Sequence, residues 1–175
     1  MNKLTLPLCL LLATMSCPSL AEKTFTLESS EIKPNSMIPV QFTCEGADTS
    51  PPLSWHDAPP KTQSFALVVE DPDANSGVWT HWILFNLPAT LNKLKIGTAT
   101  PAGASVGKNS WETLNYRGPC PPIGAHSYIF TLYALDKVLD FGDGASKDSI
   151  LQAMTGHVLG SSKLVGLYQK SINPN

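Results

Sequence analysis

Residues 64–87 read SFALVVEDPDANSGVWTHWILFNL, and this stretch decides the fold class. Its two outer parts, Ser64 to Glu70 and Trp79 to Leu87, are rich in β-branched and aromatic residues. Between them lies a run of Asp, Pro, Asn, Ser and Gly. Apolar runs bounded by such turn formers read as strands. Working outward, Thr24 to Glu28, Ile38 to Thr43, Ser127 to Leu135 and Lys163 to Gln169 have the same character, set off by proline and glycine clusters. The expectation is an all-β antiparallel sandwich or barrel. One stretch, Lys147 to about Leu159, has helical character. Ser146 suits its N-cap, Asp148 falls in the first turn, Ile150, Leu151, Met154 and Val158 share one face, and Gly160 follows the end. The sequence holds no internal repeat, no low-complexity tract and no linker long enough to separate domains.

The N-terminus has a different character. Lys3 precedes an apolar run from Leu4 to Met15 and then Ser19-Leu20-Ala21, the pattern of a secretory signal peptide cut after Ala21. The run is shorter than the roughly 20 residues that cross a bilayer, so no transmembrane segment is expected after processing. Lipidation at Cys17 is the alternative, weakened by Thr14 standing where a lipobox normally offers leucine. Residues 22–175 then form one domain, long enough for a substantial core. Its eleven Lys and Arg residues against fourteen Asp and Glu give a net charge of −3 without a basic block, which argues against nucleic acid as a partner. Cys9 and Cys17 leave with the signal, and Cys44 and Cys120 remain. Two cysteines in an exported chain suggest one disulfide; two buried free thiols are the reading that sequence leaves open beside it.

Polar groups gather at the ends of the predicted strands. Asp71 continues the alternation of Phe65, Leu67 and Val69 as the chain leaves its strand. Pro72 fixes a dihedral, and Asp73 can bond its own backbone to tighten the turn. His81 alternates with Trp79, Ile83 and Phe85, and His126 shares a face with Tyr128, Phe130 and Leu132. Each histidine alone reads equally well as a core group satisfied by one partner. Together with Asp71 they lie beside three connections longer than a hairpin needs: Cys44 to Pro60, Asp71 to Gly77 and Gly107 to Gly124. Sandwich loops cluster at the sheet ends, so these groups can meet in one polar pocket. In Gly118-Pro119-Cys120-Pro121-Pro122 the glycine would let a ligand approach the backbone while the prolines stiffen the wall.

Six motifs carry a resemblance. Phe42-Thr43-Cys44-Glu45-Gly46, Ser50-Pro51-Pro52-Leu53-Ser54-Trp55, Asp71-Pro72-Asp73-Ala74, Trp79-Thr80-His81-Trp82, Gly118-Pro119-Cys120-Pro121-Pro122 and His126-Ser127-Tyr128 stand in order along the chain. In this the chain resembles the phosphatidylethanolamine-binding protein family, especially its bacterial, Raf-kinase-inhibitor-like branch. The resemblance implies a large antiparallel sheet packed on a smaller one, with one or two short helices. It also implies a pocket at one end for phosphate-like or carboxylate anions, lined by Asp71, His81, His126 and Tyr128, with Trp79 and Gly118 as wall elements and Asp73 nearer to a turn former. Asn75-Ser76-Gly77 departs from the proline usual after this Asp-Pro-Asp-Ala. The functional expectation is a periplasmic or secreted, non-catalytic binder of a small anion or phospholipid headgroup, without cofactor or metal. Inhibition of a kinase or protease through the protein surface is the alternative, and a homodimer is left open. Neither a His-Glu-x-x-His metal motif nor a Gly-x-Ser-x-Gly elbow is present.

Overall fold

A computed structural model describes residues 23–171; the predicted signal segment lies outside them. The elements in chain order are β1 (Thr26–Glu28), β2 (Ser36–Met37), a 3-10 turn (Val40–Phe42), β3 (Leu53–His56), β4 (Ser64–Asp71), β5 (Trp79–Pro88), β6 (Lys93–Leu94), β7 (Ser105–Val106), β8 (Ala125–Leu135), α1 (Lys147–Met154) and β9 (Val158–Gln169). A six-stranded sheet runs β2-β9-β8-β4-β5-β7, and a three-stranded sheet runs β1-β3-β6. The pairs are antiparallel except β2 with β9.

The expected large-on-small sheet packing holds, with a core on each face of the large sheet. Phe65, Leu67 and Val69 of β4 meet Leu27, Leu53 and Trp55 of the small sheet, and Phe130 and Leu132 of β8 join them. Ala66 and Val68 point the other way, against Ile83, Phe85, Leu139 and the helical Ile150 and Met154. This explains why 64–69 reads as an unbroken apolar run: β4 is buried on both faces.

The short strands β2, β6 and β7 are additions to the sequence expectations, and three further elements differ from them. Ile38 to Thr43 is not a strand. The Ile38 amide makes one last bond to the Leu167 carbonyl, then Pro39 removes a donor and the chain coils into the 3-10 turn. Residues 53–56, inside an expected loop, form β3 of the small sheet. The helix stops at Met154, because Gly156 takes φ +80° and turns the chain into β9 five residues before the expected strand start. Leu151 and Val158, expected on the buried helix face, are 36% and 43% exposed, and the buried pair is Ile150 and Met154.

Candidate functional site

Asp71 ends β4 on the face of Phe65, Leu67 and Val69, as the alternation requires. One carboxylate oxygen accepts the Asp73 amide at 2.9 Å. The other lies 2.8 Å from Nδ1 of His126, which therefore donates to it. Asp73 makes a different link: its carboxylate accepts the Ser127 amide at 2.8 Å, and that bond, above all, holds its carboxyl below the usual range. The Asp-Pro-Asp turn thus clamps the start of β8 and so places His126 and Tyr128.

His81 reaches the same spot by an irregularity. Opposite β4, Val69 pairs with Trp82 and Glu70 with Thr80, so His81 is the extra residue of a β-bulge. The bulge reverses the alternation. His81 therefore does not share a face with Ile83 and Phe85, as the sequence suggests. Its ring instead stands 5.2 Å from that of Tyr128 on the opposite face, in an edge-on arrangement. Its Nδ1 lies 2.6 Å from the Arg117 carbonyl, and its own carbonyl accepts the Arg117 amide. Burial is the largest influence on the ring and holds its pKa below the ordinary histidine value, against the opposing pull of the Arg117 carbonyl and Asp71.

These side chains surround a cavity of about 290 Å³. Asp71, Trp79, His81, His126 and Tyr128 line it, as do Ala74, Asn75 and Ser76 of the turn after β4. Cys120, Pro121 and Pro122 form a further part of the wall, tied down by the Cys44–Cys120 disulfide and by the Cys44 amide bonding to the Pro119 carbonyl. The Tyr128 hydroxyl is buried beside the Asp71 carboxylate and the Cys120 backbone, and it makes no well-formed hydrogen bond among the described residues. Burial, and then the neighbouring Asp71 carboxylate, pushes the phenol well above its usual range, so it is a proton donor at any ordinary pH.

Two expected site residues sit elsewhere. Asp73 is on the clamp, outside the lining. Gly118 does not open the backbone to a ligand: its amide donates to Asp48 at 2.6 Å, and a Cβ would collide with the Phe42 carbonyl oxygen. Sequence reasoning missed Trp111, which packs edge-on against both Trp79 (5.3 Å) and His81 (5.0 Å) and carries the Arg117 guanidinium 4.7 Å above its ring. It belongs to a long loop without periodicity, and a tryptophan in that loop was the one available signal.

The sequence model for "Phosphatidylethanolamine-binding protein" matches residues 28–169. The chain belongs to the phosphatidylethanolamine-binding protein family. This family member is 52% identical over 137 residues to a UPF0098 protein of Methanothermobacter thermautotrophicus, covering 76% of this chain and 91% of that one. It is 37% identical over 172 residues to a UPF0098 protein of Pyrococcus horikoshii, covering 92% and 85%. Among solved structures, a putative phosphatidylethanolamine-binding protein homolog from Chlamydia trachomatis superposes with a TM-score of 0.80 at 38% identity, covering 84% of this chain and 98% of that one. Escherichia coli YbcL, described as a new member of the mammalian family, superposes with a TM-score of 0.79 at 30% identity, covering 84% and 99%.

Proposed function

We propose that this phosphatidylethanolamine-binding protein family member is an exported, non-catalytic binding protein whose pocket takes a small phosphate-like anion or a phosphate-bearing headgroup. The observation that carries the reading is the Tyr128 hydroxyl, buried to 1% exposure beside the cavity with no well-formed hydrogen bond among the described residues. An unsatisfied buried hydroxyl costs about 1–3 kcal/mol, which a ligand oxygen accepting its proton would recover. His126 supports the same reading, because with Nδ1 committed to Asp71 its Nε2 is the atom left for a ligand. The family name fits a phosphate-bearing ligand only in its headgroup part, and the Cys44–Cys120 disulfide fits an oxidising compartment outside the cytosol.

Calorimetric titration with inorganic phosphate and with phosphorylethanolamine tests the pocket. Saturable binding that is lost in His126→Ala supports it, and the absence of saturable heat counts against it. Mass spectrometry of the protein recovered from its producing cell tests export. A mature N-terminus at Glu22 is expected, and an intact Met1 in a cytosolic fraction contradicts it.

A further inference from the structure

The pocket holds more than hydrogen-bond donors. A backbone carbonyl can only accept, so the Arg117 oxygen 2.6 Å from Nδ1 of His81 requires a proton on that nitrogen. A neutral imidazole carries one N–H, and Nε2 is then a lone pair. His81 is 3% exposed and lines the cavity, and no hydrogen bond engages Nε2 among the described residues.

The charged and titratable groups around the ring support the neutral form. Asp71, from β4, has one oxygen on His126 Nδ1 and the other on the Asp73 amide. Asp48, from the loop after the 3-10 turn, accepts the Gly118 amide. Tyr128, from β8, meets the ring edge-on, and the Arg117 guanidinium is stacked on Trp111. Burial then works against a second proton on His81.

The site therefore opposes two kinds of group. The Tyr128 hydroxyl donates, and Nε2 of His126 can donate whenever that ring is charged, while Nε2 of His81 accepts. An oxyanion bearing only lone pairs would set an unprotonated oxygen against the His81 lone pair. One that carries its own hydroxyl would supply the missing proton. We propose that the pocket selects a phosphate group that carries at least one P–OH, as inorganic phosphate or a phosphate monoester, and rejects sulfate and phosphodiesters, with Nε2 of His81 as the acceptor that reads the proton. This rests on the anion reading of the pocket, and it favours a free monoester headgroup over the diester of an intact phospholipid. Sites built around a hydrogen bond reject a ligand lacking the matching group by roughly a hundredfold or more, because both partners are left unpaired.

The test is calorimetric titration of the mature protein with inorganic phosphate, phosphorylethanolamine, sulfate and dimethyl phosphate. It is run near pH 6, close to the second pKa of a monoester at about 6, where a P–OH is well populated. Phosphate and phosphorylethanolamine are expected to bind, and their ratio tells the free ion from the headgroup. Sulfate and dimethyl phosphate should bind at least about a hundredfold more weakly. In His81→Gln the amide can turn its NH₂ toward the ligand, so the preference for phosphate over sulfate should shrink at least roughly tenfold. Nitrogen-15 NMR of the unsubstituted protein gives a readout that does not depend on that variant folding, with an unprotonated Nε2 expected for His81. Equal binding of all four anions, or a proton on Nε2 in the neutral ring, would overturn the proposal. Binding of none of them would overturn the anion reading itself and this proposal with it.

Discussion

Replacing both Cys44 and Cys120 by serine separates two roles that one bond could play. The disulfide joins positions 76 apart in sequence, so in the unfolded chain it closes a large loop. Chain-entropy reasoning gives that closure a value of about 4 kcal/mol. For a domain of this size such a loss lowers the melting temperature by about 12 °C. The pocket should respond far less. The wall that Cys120 belongs to keeps the Cys44 amide on the Pro119 carbonyl, the Gly118 amide on Asp48 and the Tyr116 hydroxyl on the Phe42 carbonyl. The bond thus stabilises chiefly by restricting the unfolded state, while native contacts hold the wall in place. Urea unfolding of the serine pair and the unsubstituted protein, with phosphate titration of each, measures both. The expected result is a stability loss of about 4 kcal/mol with affinity changed less than roughly fivefold. A stability loss below about 1 kcal/mol, or abolished binding in a fully folded variant, would refute the reasoning.

Other perturbations follow from the same geometry. Tyr128→Phe removes a buried hydroxyl that makes no well-formed hydrogen bond among the described residues, so urea unfolding should show stability unchanged or raised by about 1 kcal/mol. The same variant should bind phosphate roughly tenfold more weakly by calorimetry. Gly118→Ala forces a methyl group into the Phe42 carbonyl and the Asp48 carboxylate, and thermal unfolding should show a loss of about 3 kcal/mol. For His81 the folded pKa is depressed, so the unfolded state binds more protons as the pH falls. Its contribution is fully present above the ordinary histidine value of 6.5 and is lost between there and the lower folded value. Between pH about 7.5 and 5.5 the urea midpoint should therefore fall more steeply in the unsubstituted protein than in His81→Gln, and equal slopes would contradict this.

Much of the site was legible in sequence because its strands are regular. Asp71 and His126 end uninterrupted alternating rows, so their faces follow from parity, and the structure joins them through Nδ1. His81 was identified with the wrong neighbours, since parity counting cannot see the bulge that inserts it between Trp82 and Thr80. Segment 53–56 alternates correctly but sits among prolines, and its partners β1 and β6 are two separate short strands far away in sequence. Gly118 was placed in the right loop for the wrong reason. Its lack of a side chain serves the close approach of two backbone segments, a tertiary fact that a single glycine in a sequence does not announce. Residues 163–169 read as a strand, whereas Gly160, Ser161 and Ser162 before them have low β-propensity and are held in β9 by pairing with Ala134, Tyr133 and Leu132.

The most direct measurement is a crystal structure of the mature protein grown with phosphorylethanolamine. The account predicts phosphate density inside the cavity, with one oxygen within hydrogen-bonding distance of the Tyr128 hydroxyl, one near Nε2 of His126 and one facing Nε2 of His81. An empty cavity at saturating ligand, or a phosphate bound away from these three atoms, would contradict it.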